Sequence, residues 1–138
     1  MEKNYGMTLE YLGELRCEGK HVKSGETVLT DAPLDNNGKA EAFSPTDLLC
    51  TSLAACMVTI MGITAEKKEI QLGKISAGII KVMASDPRRV IVIKIDFTLE
   101  NFDYTDREKD ILSNSALTCP VAKSLHPEIN QEITFHFV

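Results

Sequence analysis

The chain has 138 residues, 43% of them hydrophobic and 25% charged, which suits one compact globular domain spanning 1–138 with a core of its own and is cramped for two. A net charge of −5 and a pI near 5.2 argue against a nucleic-acid surface, which needs clustered Lys and Arg. With no Trp and 6% aromatic residues, the core must be filled mainly by Leu, Ile, Val and Met.

Taken in order, Met1-Glu2-Lys3-Asn4-Tyr5-Gly6 lacks the basic patch and apolar run of a secretory signal, so a cytoplasmic address is expected. Two or three strands are predicted between Met7 and Thr30: Met7 to Leu12, a turn at Glu18-Gly19-Lys20, and Glu26 to Thr30. Asp31 to Ala42, with Pro33, Asp35, Asn36, Asn37 and Gly38, reads as a surface loop.

A helix then opens at Ser44-Pro45-Thr46-Asp47. Ser44 suits the N-cap, Pro45 the first helical position, and Asp47 completes a pattern like a capping box. From Leu48 to Ala65 there is no charge, and the helix should run to about Lys68. On a wheel of 100° per residue, Leu49, Leu53, Cys56, Ile60 and Ile63 form one stripe, with Cys50 pointing some 120° away from Cys56. These 18 uncharged residues reach the lower length limit of a membrane span, but Thr51, Ser52, Thr59, Gly62 and Thr64 and the lack of a basic entry flank argue against one. A helix apolar nearly all round needs cover on every side, more than one small sheet gives, so a second subunit is a natural source.

Lys74 to Ala84 and Arg89 to Leu99 read as a hairpin reversed at Ser85-Asp86-Pro87-Arg88, with Ile91, Ile93, Ile95, Phe97 and Leu99 on the buried face. Thr105-Asp106-Arg107-Glu108 is a capping box for a helix to about Leu117 with Ile111 and Leu112 inward. Pro120 ends that helix and can begin a short turn with Cys119 near its cap. Glu132 to Phe137 alternates as a last strand. The order of strands, long helix, hairpin, helix and strand is that of an α+β fold.

Cys56 and Cys119 carry the sharpest chemical signal. A thiol at a helix N-terminus gains thiolate stabilisation from unpaired N–H groups, although a buried cysteine is also a common inert core residue. Cys17 and His21 are spaced like two metal ligands with no second pair to match, so no metal or other cofactor is expected. His126, imagined as the base of a Cys–His pair, sits where a solvated turn residue is the plainer reading. Arg16 reads alone as a strand-edge charge, or else as a fixed cation able to hold a thiolate and polarise an oxygen. Asp47 has a sufficient role in the helix cap.

Pro45-Thr46-Asp47-Leu48-Leu49, Ser52-Leu53-Ala54-Ala55-Cys56 and Cys119-Pro120-Val121-Ala122-Lys123-Ser124-Leu125 together resemble the OsmC/Ohr superfamily, the osmotically inducible protein C and organic hydroperoxide resistance proteins. The resemblance covers nearly the whole chain. It implies an OsmC-like fold with antiparallel sheets packed around a long buried helix, in an intertwined homodimer.

It also implies a thiol peroxidase in which Cys56 attacks an organic hydroperoxide, Cys119 resolves the sulfenic acid to a disulfide, and an external dithiol of dihydrolipoyl type reduces it. Arg16 is the best match to the family's thiolate-activating arginine. Where the family's better-studied peroxidases carry a glutamate, ten residues before the first cysteine, this chain has Thr46, with Asp47 beside it. The sequence is closer to the OsmC-like branch than to the Ohr proteins. A redox-sensing or small-molecule-binding protein with little turnover, and a purely structural use of the cysteines, remain as alternatives.

Overall fold

The computed structural model describes residues 3–138; Met1 and Glu2, the start of the segment read as lacking a secretory signal, lie outside them. The chain divides into two compact units, one ending at Leu48 and the other spanning Leu49–Val138.

The first unit is an antiparallel sheet of β1 (Met7–Gly13), β2 (Arg16–His21) and β3 (Thr27–Asp31) in that order. The chain reverses between β1 and β2 at Gly13, Glu14 and Leu15, all in left-handed conformation. The turn predicted at Glu18-Gly19-Lys20 is instead the middle of β2. Glycine serves packing there, because a Cβ on Gly19 would stand 3.3 Å from Cγ1 of Val28 on β3. The loop after β3 holds a short 3₁₀ turn, Leu34–Asn36, closed by Asn37 in the left-handed region. Met7, Leu9 and Val28 line an apolar hollow of about 510 Å³ on this sheet.

Helix α1 (Pro45–Lys68) begins at the end of the first unit and supplies the second. Its start follows the sequence reading. Asp47 N–H donates to Ser44 Oγ and Ser44 N–H donates to an Asp47 carboxylate oxygen, both at 3.0 Å. The buried face differs from the predicted stripe: Cys50, Leu53, Ala54, Met57, Met61 and Ala65 are buried, Cys56 and Ile60 are half-buried, and Leu49 and Ile63 are exposed. By length and composition α1 could cross a membrane; here its buried face belongs to the core of the second unit.

That core packs α1 with a sheet of β4 (Ile75–Ala84), β5 (Arg89–Leu99) and β6 (Asn130–Phe137) and with α2 (Asp106–Ala116). β5 is the middle strand; β4 joins it antiparallel as the predicted hairpin, whereas β6 pairs with it in parallel. The expectation of antiparallel sheets therefore holds for the first sheet and is corrected for the second, which is mixed. The crossover from β5 to β6 runs through two helices, as a parallel connection requires.

Ile93, Ile95, Phe97 and Leu99 of β5 are buried as expected, but Ile91 is only half-buried and Val90 takes the core position. A register shift between Val82 and Met83 explains this, since Val82 faces Val92 while Met83 faces Val90, leaving Ile91 without a partner. Thr105 caps α2 through a complete capping box, and Leu112 and Ala116 are buried.

Candidate active site

Cys56 lies within α1, and Cys119 is the N-cap of α3 (Pro120–Ser124), with Pro120 at its first position as the sequence predicts. Both residues are in the second unit, where the Cys56 thiol lies close enough to Cys119 to perturb its titration. Cys119 is fully buried and Cys56 half-buried, and neither is in a disulfide.

Ala122 N–H, in the first turn of α3, donates to Cys119 Sγ at 3.3 Å. The expectation that a helix N-terminus would favour a Cys119 thiolate is outweighed. Burial pushes the Cys119 thiol up from its ordinary value, Ala122 and Val121 N–H groups pull it partly back, and the neighbouring Cys56 raises it further. Cys119 is thus a neutral thiol near pH 7.

Arg16 and Asp47 belong to the first unit. Asp47 is engaged in the helix cap described above, and Thr46 Oγ1 lies 3.1 Å from Ser44 Oγ. Arg16 on β2 forms a two-pronged ion pair with Asp31, its cross-strand partner on β3, with Nε to Oδ1 at 2.7 Å and Nη2 to Oδ2 at 2.8 Å. Asp31 is buried and also accepts Glu41 N–H at 3.1 Å. The guanidinium beside it holds the Asp31 carboxyl below the usual carboxylate range. The sequence alone does not single out Asp31; its place opposite Arg16 depends on a strand register that local pattern does not record.

His126 is exposed, and its Nδ1 accepts Glu128 N–H within the turn. His21 Nδ1 lies 2.6 Å from Ser24 Oγ in the β2–β3 connection.

The arrangement defines a class: an α+β protein with a core helix and a turn-borne cysteine that face each other as a thiol pair. The family model for OsmC-like protein matches residues 38–134, and the chain belongs to that family. It is 48% identical to a protein of Psychrobacter arcticus 273-4 described as a candidate osmotic stress induced and detoxification response protein, with a TM-score of 0.92 over 99% of this chain and 98% of that one. The fold is shared with an organic hydroperoxide resistance protein OsmC from Legionella pneumophila (14% identity, TM-score 0.74, 98% and 99% covered). It is shared also with an OsmC-like protein from Mycoplasma pneumoniae (18% identity, TM-score 0.76, 100% and 98% covered). No curated protein matches the chain.

Proposed function

We propose that this chain, as a single OsmC-like domain, is a thiol-dependent peroxidase that reduces organic hydroperoxides in oxidative stress defence. The observation that carries the reading is the contact between the Cys56 and Cys119 thiols in a packed apolar interior.

In the first step Cys56 thiolate attacks the O–O bond of the hydroperoxide. Its sulfur becomes a sulfenic acid, and the alkoxide leaves and takes a proton as alcohol. Cys119 sulfur then attacks the sulfenic sulfur, so that an S–S bond forms, the S–O bond breaks and water leaves. An external dithiol, of dihydrolipoyl type by family likeness, restores both thiols by exchange. Cys119 suits the second role because its buried, protonated state keeps it from competing for the peroxide. Arg16, held flat by Asp31, is the candidate thiolate activator; Asp47 serves the helix cap. Family membership and the organic hydroperoxide resistance proteins that share the fold support the substrate class.

Free thiols counted by mass spectrometry after one equivalent of organic hydroperoxide test the reading. A prompt loss of two, mapped to Cys56 and Cys119, is expected; four surviving thiols would remove it. The second reading, a redox sensor or small-molecule binder with little turnover, draws on Thr46, which stands where the family's better-studied peroxidases carry a glutamate, while Arg16 is already paired with Asp31. It is favoured if the same disulfide forms only slowly while an apolar ligand raises thermal stability.

The reading includes a cytoplasmic homodimer. The exposed Leu49 and Ile63 on α1 and the apolar hollow on the first sheet are surfaces that a second copy would cover. Light scattering is expected to give twice the 15.3 kDa of one chain, and a single-chain mass at micromolar concentration would contradict the dimer.

A further inference from the structure

Strand β6 alternates, with Asn130, Glu132, Thr134 and His136 exposed and Gln131, Ile133, Phe135 and Phe137 half-buried. Gln131 is the one polar side chain in that inward set. An amide on such a face is unfavourable unless it is paired. Gln131 Nε2 donates to the Ala122 carbonyl at 3.1 Å, and because a carbonyl only accepts, the amide orientation is fixed by its partner.

Ala122 is the residue whose N–H donates to Cys119 Sγ. It therefore gives a hydrogen bond to the sulfur at its amide end and receives one from β6 at its carbonyl end. Helix α3 has only five residues, closed by Lys123 N–H to the Cys119 carbonyl at 3.2 Å, and a helix that short has little stability of its own.

We propose that Gln131 is a positioning residue for Cys119: it ties the α3 turn to β6, keeping the Ala122 N–H on Cys119 sulfur and that sulfur within reach of Cys56. The consequence rests on the peroxidase reading only in its physiological setting. Disulfide closure needs Cys119 to give up its proton while its sulfur approaches Cys56, and the Ala122 N–H stabilises the charge that develops on the attacking sulfur. A frayed turn loses both the N–H and the approach.

The test uses the full chain with Gln131→Met, which keeps length and apolar body but removes the donor, and Gln131→Lys, which keeps a donor at similar reach. Single-turnover oxidation by an organic hydroperoxide is followed for sulfenic acid, by dimedone trapping, and for disulfide. Gln131→Met is expected to form the Cys56 sulfenic acid within twofold of the parent rate but to close the disulfide about tenfold more slowly, the scale of one lost hydrogen bond. Gln131→Lys should recover most of that loss.

Closure at the parental rate in Gln131→Met, or equal slowing of both steps without recovery by lysine, overturns the proposal. If the parent does not react with hydroperoxide, the peroxidase reading fails by itself. Closure is then driven with diamide, which takes up the two electrons and two protons of the thiol pair, and the same tenfold difference decides the role of Gln131.

Discussion

Cys56→Ser is expected to bring consumption of organic hydroperoxide down to the uncatalysed background, a loss on the order of 10³-fold or more. Serine at this position keeps the shape of the half-buried side chain on α1, so the fold should be retained. What it removes is the sulfur that, in this reading, accepts oxygen from the peroxide and passes it on as water, since an alcohol is neither ionised near neutral pH nor oxidised to a sulfenic acid. Cys119→Ser should behave differently. It leaves Cys56 able to react once, so one equivalent of hydroperoxide is consumed, the protein gains one oxygen in mass, and turnover stalls until a small thiol is added. Peroxide consumption in a coupled assay, paired with intact mass after one equivalent, separates the two variants. Full activity in Cys56→Ser would remove the peroxidase reading. Equal loss in both variants at the first oxidation would show that Cys119 acts before the disulfide step, as a neighbour of the Cys56 thiol, rather than only in resolution.

Much of the fold is legible because its signals are local. The caps at Ser44 and Thr105, the hairpin from β4 to β5 and the Cys119-Pro120 turn each follow from a few adjacent residues. The buried face of α1 departs from the wheel for a physical reason. Between Leu48 and Ala65 no charge marks an outer side, so tertiary packing selects Cys50, Leu53, Met57 and Met61 over Leu49 and Ile63, and the wheel alone cannot. Gly19 looks like a turn residue in the sequence because glycine punctuates chains more often than it makes room for a neighbour such as Val28. The parallel pairing of β6, the shift that swaps Val90 for Ile91, and the ion pair of Arg16 with Asp31 are all register facts, decided between segments far apart in sequence. The cysteine pair was legible through family likeness. Gln131 is not, because the clear alternation in the sequence begins at Glu132, one residue past it.

Phe97→Ala is expected to destabilise the protein by about 3–5 kcal/mol, a large part of the 5–15 kcal/mol typical of a folded domain. Phe97 is fully buried on the middle strand of the mixed sheet, where its cross-strand neighbour on β4 is the small Ala77 and on β6 is Phe135. The two rings stack with centroids 5.4 Å apart and planes 18° from parallel. Truncation removes the ring from the core and strips Phe135 of its partner, and backbone pairing on both sides prevents β5 from collapsing into the space. Urea unfolding at fixed protein concentration should show a lower midpoint with an unchanged slope. Phe97→Leu, which keeps most of the volume, should lose far less, and a double-mutant cycle with Phe135→Leu should give a coupling of about 0.5–1.5 kcal/mol for the stack. A loss below about 1 kcal/mol in Phe97→Ala would mean that the β5–β6 seam is not part of the cooperative core. Gln131 would then ride on a strand free to move, and a slow disulfide closure in its variants would have to be compared with the same step in Phe97→Ala before it could be assigned to the amide.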